Sequence, residues 1–175
     1  MQINSESHIR HSPQRVLEVY QDLLPEVAAY MPDIREIRVE NRKDGDGVVE
    51  LQNVWSSDRD IPSYARAVLK PEHLKWDDFV KWHREGLFGE WEIKTRVFTD
   101  AVTCSGRTEL HDDGKGGTRV TLTGHFNVDL QSVPGIPGFL GRRIAPKLEG
   151  FIVNLITPNL EKTNVAIGEY LDAQD

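Results

Sequence analysis

Six histidines and a single cysteine are the first residues to test for chemistry. A metal site needs ligands that the fold brings together. His8 and His11 straddle an expected strand-to-helix junction, and His73, His83, His111 and His125 form no close pair. The chain holds neither HExxH nor His-x-His, so zinc would have to be assembled from distant strands; no metal is expected, and the histidines read as exposed strand or loop residues. Asp44-Gly45-Asp46-Gly47 opens like a calcium loop, but the twelfth position from Asp44 is Trp55, where such a loop needs a bidentate glutamate. Gly114-Lys115-Gly116-Gly117-Thr118 lacks Walker spacing and joins two expected strands, so it too reads as a turn. Cys104 alternates with Val102 on a face expected to be buried, which makes it a structural thiol rather than a nucleophile.

Asp78 is a stronger candidate. It alternates with Leu74, Trp76, Val80 and Trp82, whereas Asp77 alternates with Lys75, Phe79 and Lys81. If the tryptophan face is the inner one, Asp78 is inside, and a carboxylate there needs a partner or a raised pKa. Either condition suits a general base or an anchor for a ligand hydroxyl. Asn53, between Leu51 and Trp55, and Arg66 are lesser candidates of the same kind. All four tryptophans, at 55, 76, 82 and 91, lie in the middle of the chain, placed to line a pocket or to fill a core.

The elements that must position these residues follow from periodicity. Residues 2 to 9 suit a strand, and Ser12-Pro13 supplies a hydroxyl N-cap and a first-turn proline. Val16, Val19, Tyr20 and Leu23 then recur at helical spacing, interrupted at Pro25. From Ile34 to about Asp129 the pattern has period two, with strands expected at 35–42, 47–56, 63–69, 74–84, 89–98, 101–111 and 118–129. Hairpin turns are expected at Lys43–Gly47 and Asp112–Gly117. Val133-Pro134-Gly135-Ile136-Pro137-Gly138 reads as an apolar loop. Beyond it Ile144, Leu148, Phe151, Ile152, Leu155, Leu160, Thr163, Ile167 and Leu171 keep helical spacing, with a kink or a restart capped by Thr157 expected at Pro158.

The 175 residues suit one domain, 1–175, large enough for a core or a cavity without a disulfide. A net charge of -7 opposes binding to a phosphate backbone, so nucleic acid is not an expected partner. The opening MQINSESHIR has no basic stretch leading into an apolar run, and Phe151 to Ile156, the longest apolar stretch, is interrupted by Asn154. A cytoplasmic location is the resulting expectation.

An α+β order of strand, broken helix, antiparallel strands and long C-terminal helix requires the sheet to bury its apolar face against that helix. With the stretch HSPQRVLEVYQDLLPEVAAYMPDIREIRVENR, this order resembles the START-like, or SRPBCC, superfamily of helix-grip proteins. The resemblance implies a curved antiparallel sheet wrapped around the C-terminal helix, and a cavity holding a lipid, sterol, polyketide or quinone. Some members of the superfamily are polyketide cyclases or aromatases, and others bind or carry. The expected function is therefore binding or transport of a small hydrophobic molecule without a cofactor. The alternatives are a cyclase-like enzyme with Asp78 as base, or an interaction module with a filled core. The expected ligand-binding residues are Asn53, Trp55, Trp76, Asp78, Trp82, Trp91 and Phe126 on the sheet, with Phe151 and Leu155 on the helix. The basic segment Phe139–Leu148, after an apolar loop, adds an expected transient contact with a membrane surface.

Overall fold

The computed structural model describes residues 1–131, 133 and 138–175. Gln2–Ile9 form β1, and the chain turns at Ser12 into α1 (Pro13–Glu18). Ser12 Oγ accepts from the Arg15 backbone N–H at 3.4 Å, and Pro13 occupies a first-turn position whose N–H the helix does not use. The helix widens into a π turn (Val19–Leu23), resumes as α2 (Leu24–Val27) and closes in a 3-10 turn (Ala28–Tyr30). Pro25 explains the break, since it has no N–H to offer the carbonyl of Gln21. Arg42 meets that carbonyl instead, donating from Nη1 at 2.7 Å.

The sheet consists of β2 (Ile34–Gly45), β3 (Val48–Ser57), β4 (Lys75–His83), β5 (Phe88–Thr95), β6 (Val102–Asp112) and β7 (Thr118–Val128), with β1. Its antiparallel order is β1-β7-β6-β5-β4-β3-β2. Both expected hairpin turns are present, with positive φ at Gly47 between β2 and β3 and at Gly114 between β6 and β7. Register shifts in β2 between Ile34 and Glu36, and between Val39 and Asn41, bend that edge.

The strand expected at 63–69 does not form. Ser63–Ala65 is a 3-10 turn, and the Leu69 N–H returns to the Ala65 carbonyl at 2.8 Å. Ile61, Ala65 and Leu69 are the buried residues, spaced by four, so the inward face follows a helical period although the sequence also alternates.

The last element, α3 (Gly138–Gln174), runs through both Pro146 and Pro158. The expected restart at Thr157 is absent, and the Thr157 hydroxyl is buried without a partner. The carbonyl that Pro158 leaves free, Asn154 O, accepts from Arg59 Nη1, the same remedy that Arg42 supplies at Pro25. Ala145, Leu148, Ile152 and Ile156 form a buried stripe that packs the helix into the concave face of the sheet, and Phe151 and Leu155 are buried beside it. Pro134 to Pro137 of the expected apolar loop lie outside the described residues. Among the described residues no helix is long and apolar enough to cross a membrane.

Candidate functional site

Four rows of inward-facing residues cross the sheet, and its register determines which residues meet. One row aligns Trp55, Trp76 and Thr95, and the next aligns Asn53, Asp78, Ile93, Cys104 and Phe126. A third passes from Val80 through Trp91 to Gly106 and Gly124, and the fourth from Trp82 through Gly89 to Thr108 and Leu122. The period-two pattern of β4 therefore points Trp76, Asp78, Val80 and Trp82 toward α3, as their alternation predicts.

Between these rows and the two helical segments lies a partly open cavity of about 50 Å³. Asn53, Trp55, Trp76, Asp78, Trp82 and Trp91, six of the residues singled out in the sequence, line it. The other three stand elsewhere. Phe126 is packed into the core three strands away from Asp78, while Phe151 and Leu155 line a smaller neighbouring cavity that shares the Trp76 wall. The helical period identified Phe151 and Leu155 as inward, but a fraction of a turn decides which cavity an inward side chain meets. Arg66 is exposed and donates to the Ile61 carbonyl, well away from the site.

The tryptophans are held rigidly. Trp55 and Trp76, paired across β3 and β4, stack with centroids 5.9 Å apart and planes 15° from parallel. Trp82 lies 4.6 Å from Tyr20, which the π turn carries over the sheet. Trp91 lies flat across β6 and β7, where Gly106 and Gly124 leave room for it. A Cβ at Gly106 would collide with its indole, and one at Gly124 would sit 2.8 Å from it. Trp91 Nε1 donates to Thr108 Oγ1 at 3.2 Å.

Asp78 projects into this aromatic space. Its exposure is to the cavity, and it lies deep among protein atoms. Asn53 Nδ2 donates to Asp78 Oδ2 at 3.3 Å. Burial raises the carboxyl pKa to about 6, although the hydrogen bond from Asn53 and the nearby indole N–H of Trp55 both pull it down. The Trp55 N–H itself has no partner at hydrogen-bonding geometry. Burial pushes the Cys104 thiol up to about 12, and the Asp78 charge adds to that effect. Cys104 is therefore a protonated structural thiol, as expected. Tyr20 is driven well above the ordinary tyrosine range by the same two causes, and its hydroxyl donates to Asn164 Oδ1.

A contribution from α3 is expected from the sequence, but through Phe151 and Leu155 rather than the residues that line this cavity. Ile156, Asn159, Leu160 and Thr163 close the cavity opposite the sheet. Asn159 Nδ2 donates to the Leu155 carbonyl at 2.7 Å, and Thr163 Oγ1 to the Asn159 carbonyl at 2.6 Å. Polar residues four apart within an apolar stripe were the available signal. Four polar atoms of lining residues remain unpartnered: Asn53 Oδ1, Asn159 Oδ1, Trp55 Nε1 and Trp82 Nε1. No lysine, arginine or histidine lines the cavity among the described residues. Among them, too, no group of three or more His, Cys, Asp or Glu converges as a metal site would require. His11, expected on the surface, is buried and lies 2.8 Å from Asp172 near the end of α3.

The chain matches no protein-family model and no curated protein sequence. Solved structures do match it over nearly its whole length. The protein TTHA0849 of Thermus thermophilus superimposes with a TM-score of 0.62 at 19% identity, covering 100% of this chain and 99% of that one. The ZhuI aromatase/cyclase of Streptomyces sp. R1128 gives 0.62 at 13% identity, with coverage of 97% and 92%. Norcoclaurine synthase of Thalictrum flavum gives 0.55 at 14% identity, with coverage of 98% and 86%. The class is thus an α+β helix-grip fold, the fold of the START-like or SRPBCC proteins that the order of elements resembles. At these identities the likeness establishes the fold and leaves the activity to the site.

Proposed function

We propose that the protein binds a small, mostly apolar molecule carrying a few polar groups in the cavity between the sheet and α3. The observation that carries this reading is the set of unpartnered polar atoms in an otherwise aromatic and aliphatic wall. A filled core does not leave two indole N–H groups and two amide oxygens of one cavity's wall residues unpaired, whereas a ligand site does. Burial of ligand apolar surface supplies affinity at about 25 cal/mol per Å², and the polar atoms orient what is bound.

This reading is favoured over a cyclase-like enzyme because Asp78 has no companion acid among the described residues. The Tyr20 and Thr163 hydroxyls already donate to Asn164 and to the Asn159 carbonyl. Contact with an anionic lipid surface during ligand exchange is part of the same proposal. It is supported by Phe139, 76% exposed at the start of α3, with Arg142, Arg143 and Lys147 exposed on the next turns.

Native mass spectrometry of freshly purified protein is the direct test, with a small molecule bound in stoichiometric amount as the expected result. Titration with apolar probes should quench tryptophan fluorescence saturably. An unliganded protein whose fluorescence no probe saturates would overturn the proposal.

A further inference from the structure

The two aspartates of β4 are neighbours in sequence and opposites in circumstance. Asp77, on the outer face, receives Arg96 Nε at 3.0 Å and Nη2 at 2.9 Å, with Gln52 Nε2 at 3.1 Å. Asp78, on the inner face, has one amide donor at 3.3 Å and no cation among the residues that line the cavity. An ionised carboxylate removed from water without a counter-charge is costly, and the fold supplies a paired one a single residue away.

From this contrast we propose that the ligand is an organic cation, a small aromatic or aliphatic amine whose ammonium group lies against Asp78 within the tryptophan walls. The inference rests on the ligand-binding reading and names its chemical class. Three features support it. The walls are built from the aromatic rings of Trp55, Trp76, Trp82, Trp91 and Tyr20, and of the aromatic side chains indoles attract cations most strongly. The acceptors match an ammonium group, which has donors only. The Asn53 amide is oriented by its Nδ2 bond to Asp78 and the Asn159 amide by its Nδ2 bond to Leu155 O, so both unpartnered oxygens are acceptors. The remaining titratable groups that face Asp78 are Tyr20 from the π turn and Cys104 from β6, both held protonated and neutral at physiological pH. None of them supplies a positive charge, so the ligand is left to do so. The unpartnered Trp82 N–H accommodates an oxygen substituent on the same molecule.

The test compares two probes of one shape, 2-(1-naphthyl)ethylamine and 2-(1-naphthyl)ethanol, by isothermal titration calorimetry on the full chain at pH 7.5. The amine is expected to bind at least about tenfold more tightly than the alcohol. Asp78→Asn should remove that advantage, so that the variant binds amine and alcohol with about equal affinity. In the unmodified protein, the amine should bind about tenfold more weakly at pH 5 than at pH 7.5, because Asp78 takes up a proton, and the alcohol should be indifferent to pH. This pH arm does not depend on whether the variant folds. If the alcohol binds as tightly as the amine, the cation assignment is overturned and the ligand-binding reading stands. Should neither probe bind and no molecule co-purify, both are overturned.

Discussion

Replacing Asp78 by asparagine should stabilise the protein at neutral and alkaline pH. The carboxyl pKa stands at about 6 in the folded state against 3.8 for the ordinary group, so between those values the folded protein keeps a proton that the unfolded chain has lost. Stability from this source is complete below about pH 4 and is lost as pH rises through 6. At roughly 1.4 kcal/mol per pH unit, the separation corresponds to about 3 kcal/mol. Water entering the cavity screens part of this, leaving about 2 kcal/mol. Asparagine keeps an oxygen to accept from Asn53 Nδ2 and carries no charge. Ligand-free protein and variant should be unfolded in urea at several pH values. The expected result is a difference within about 0.6 kcal/mol at pH 4 that grows to about 2 kcal/mol in favour of the variant at pH 8. Comparing the two at each pH cancels the contributions of Asp33, Asp77, Asp113 and Asp172, whose pKa values are lowered by their partners. A variant less stable than the parent at pH 8, or a difference that does not change with pH, would refute the claim that Asp78 is an uncompensated charge. A stability penalty held at one residue is itself a sign that the residue serves a ligand.

Leu160→Trp enlarges a residue at the cavity wall, so it should cost under about 1 kcal/mol, against 1–3 kcal/mol for overpacking a filled core, and should abolish saturable quenching by apolar probes. Gly106→Ala sets a methyl group against the Trp91 indole and the Thr123 carbonyl. It should cost about 3 kcal/mol, lowering Tm by roughly 6–12 °C, and should alter the near-ultraviolet circular dichroism of the displaced indole. Arg42→Met removes the donor to the Gln21 carbonyl and should cost about 1–2 kcal/mol in urea unfolding. Much of that cost should persist in 1 M salt, which screens the exposed pairs with Asp22 and Asp44; a loss that salt abolishes would place the effect in those pairs alone.

The sequence by itself determined which face each element buries. The alternation of β4 assigned Trp76, Asp78, Val80 and Trp82 to one side, the spacing of α3 turned Leu148, Ile152 and Leu155 inward, and Ser12-Pro13 marked a helix start. These signals are local, because a side chain's direction follows from a period of 2 or 3.6 within its own element. Periodicity failed where two periods fitted one segment: residues 63–69 alternate, yet Ile61, Ala65 and Leu69 also recur at four, and only packing chose between the two. The continuation of α3 through Pro158 was likewise undecidable locally, since it depends on Arg59 arriving from another part of the chain to satisfy Asn154. The site itself belongs to the tertiary structure. Strand register placed Asn53 beside Asp78 and laid Trp91 over Gly106 and Gly124, and the position of α3 across the sheet brought Asn159 and Thr163 opposite them while sending Phe151 and Leu155 to a second cavity. Register and helix placement are set by the sum of many long-range contacts rather than by any one residue, which is why facing was legible in the sequence and meeting was not.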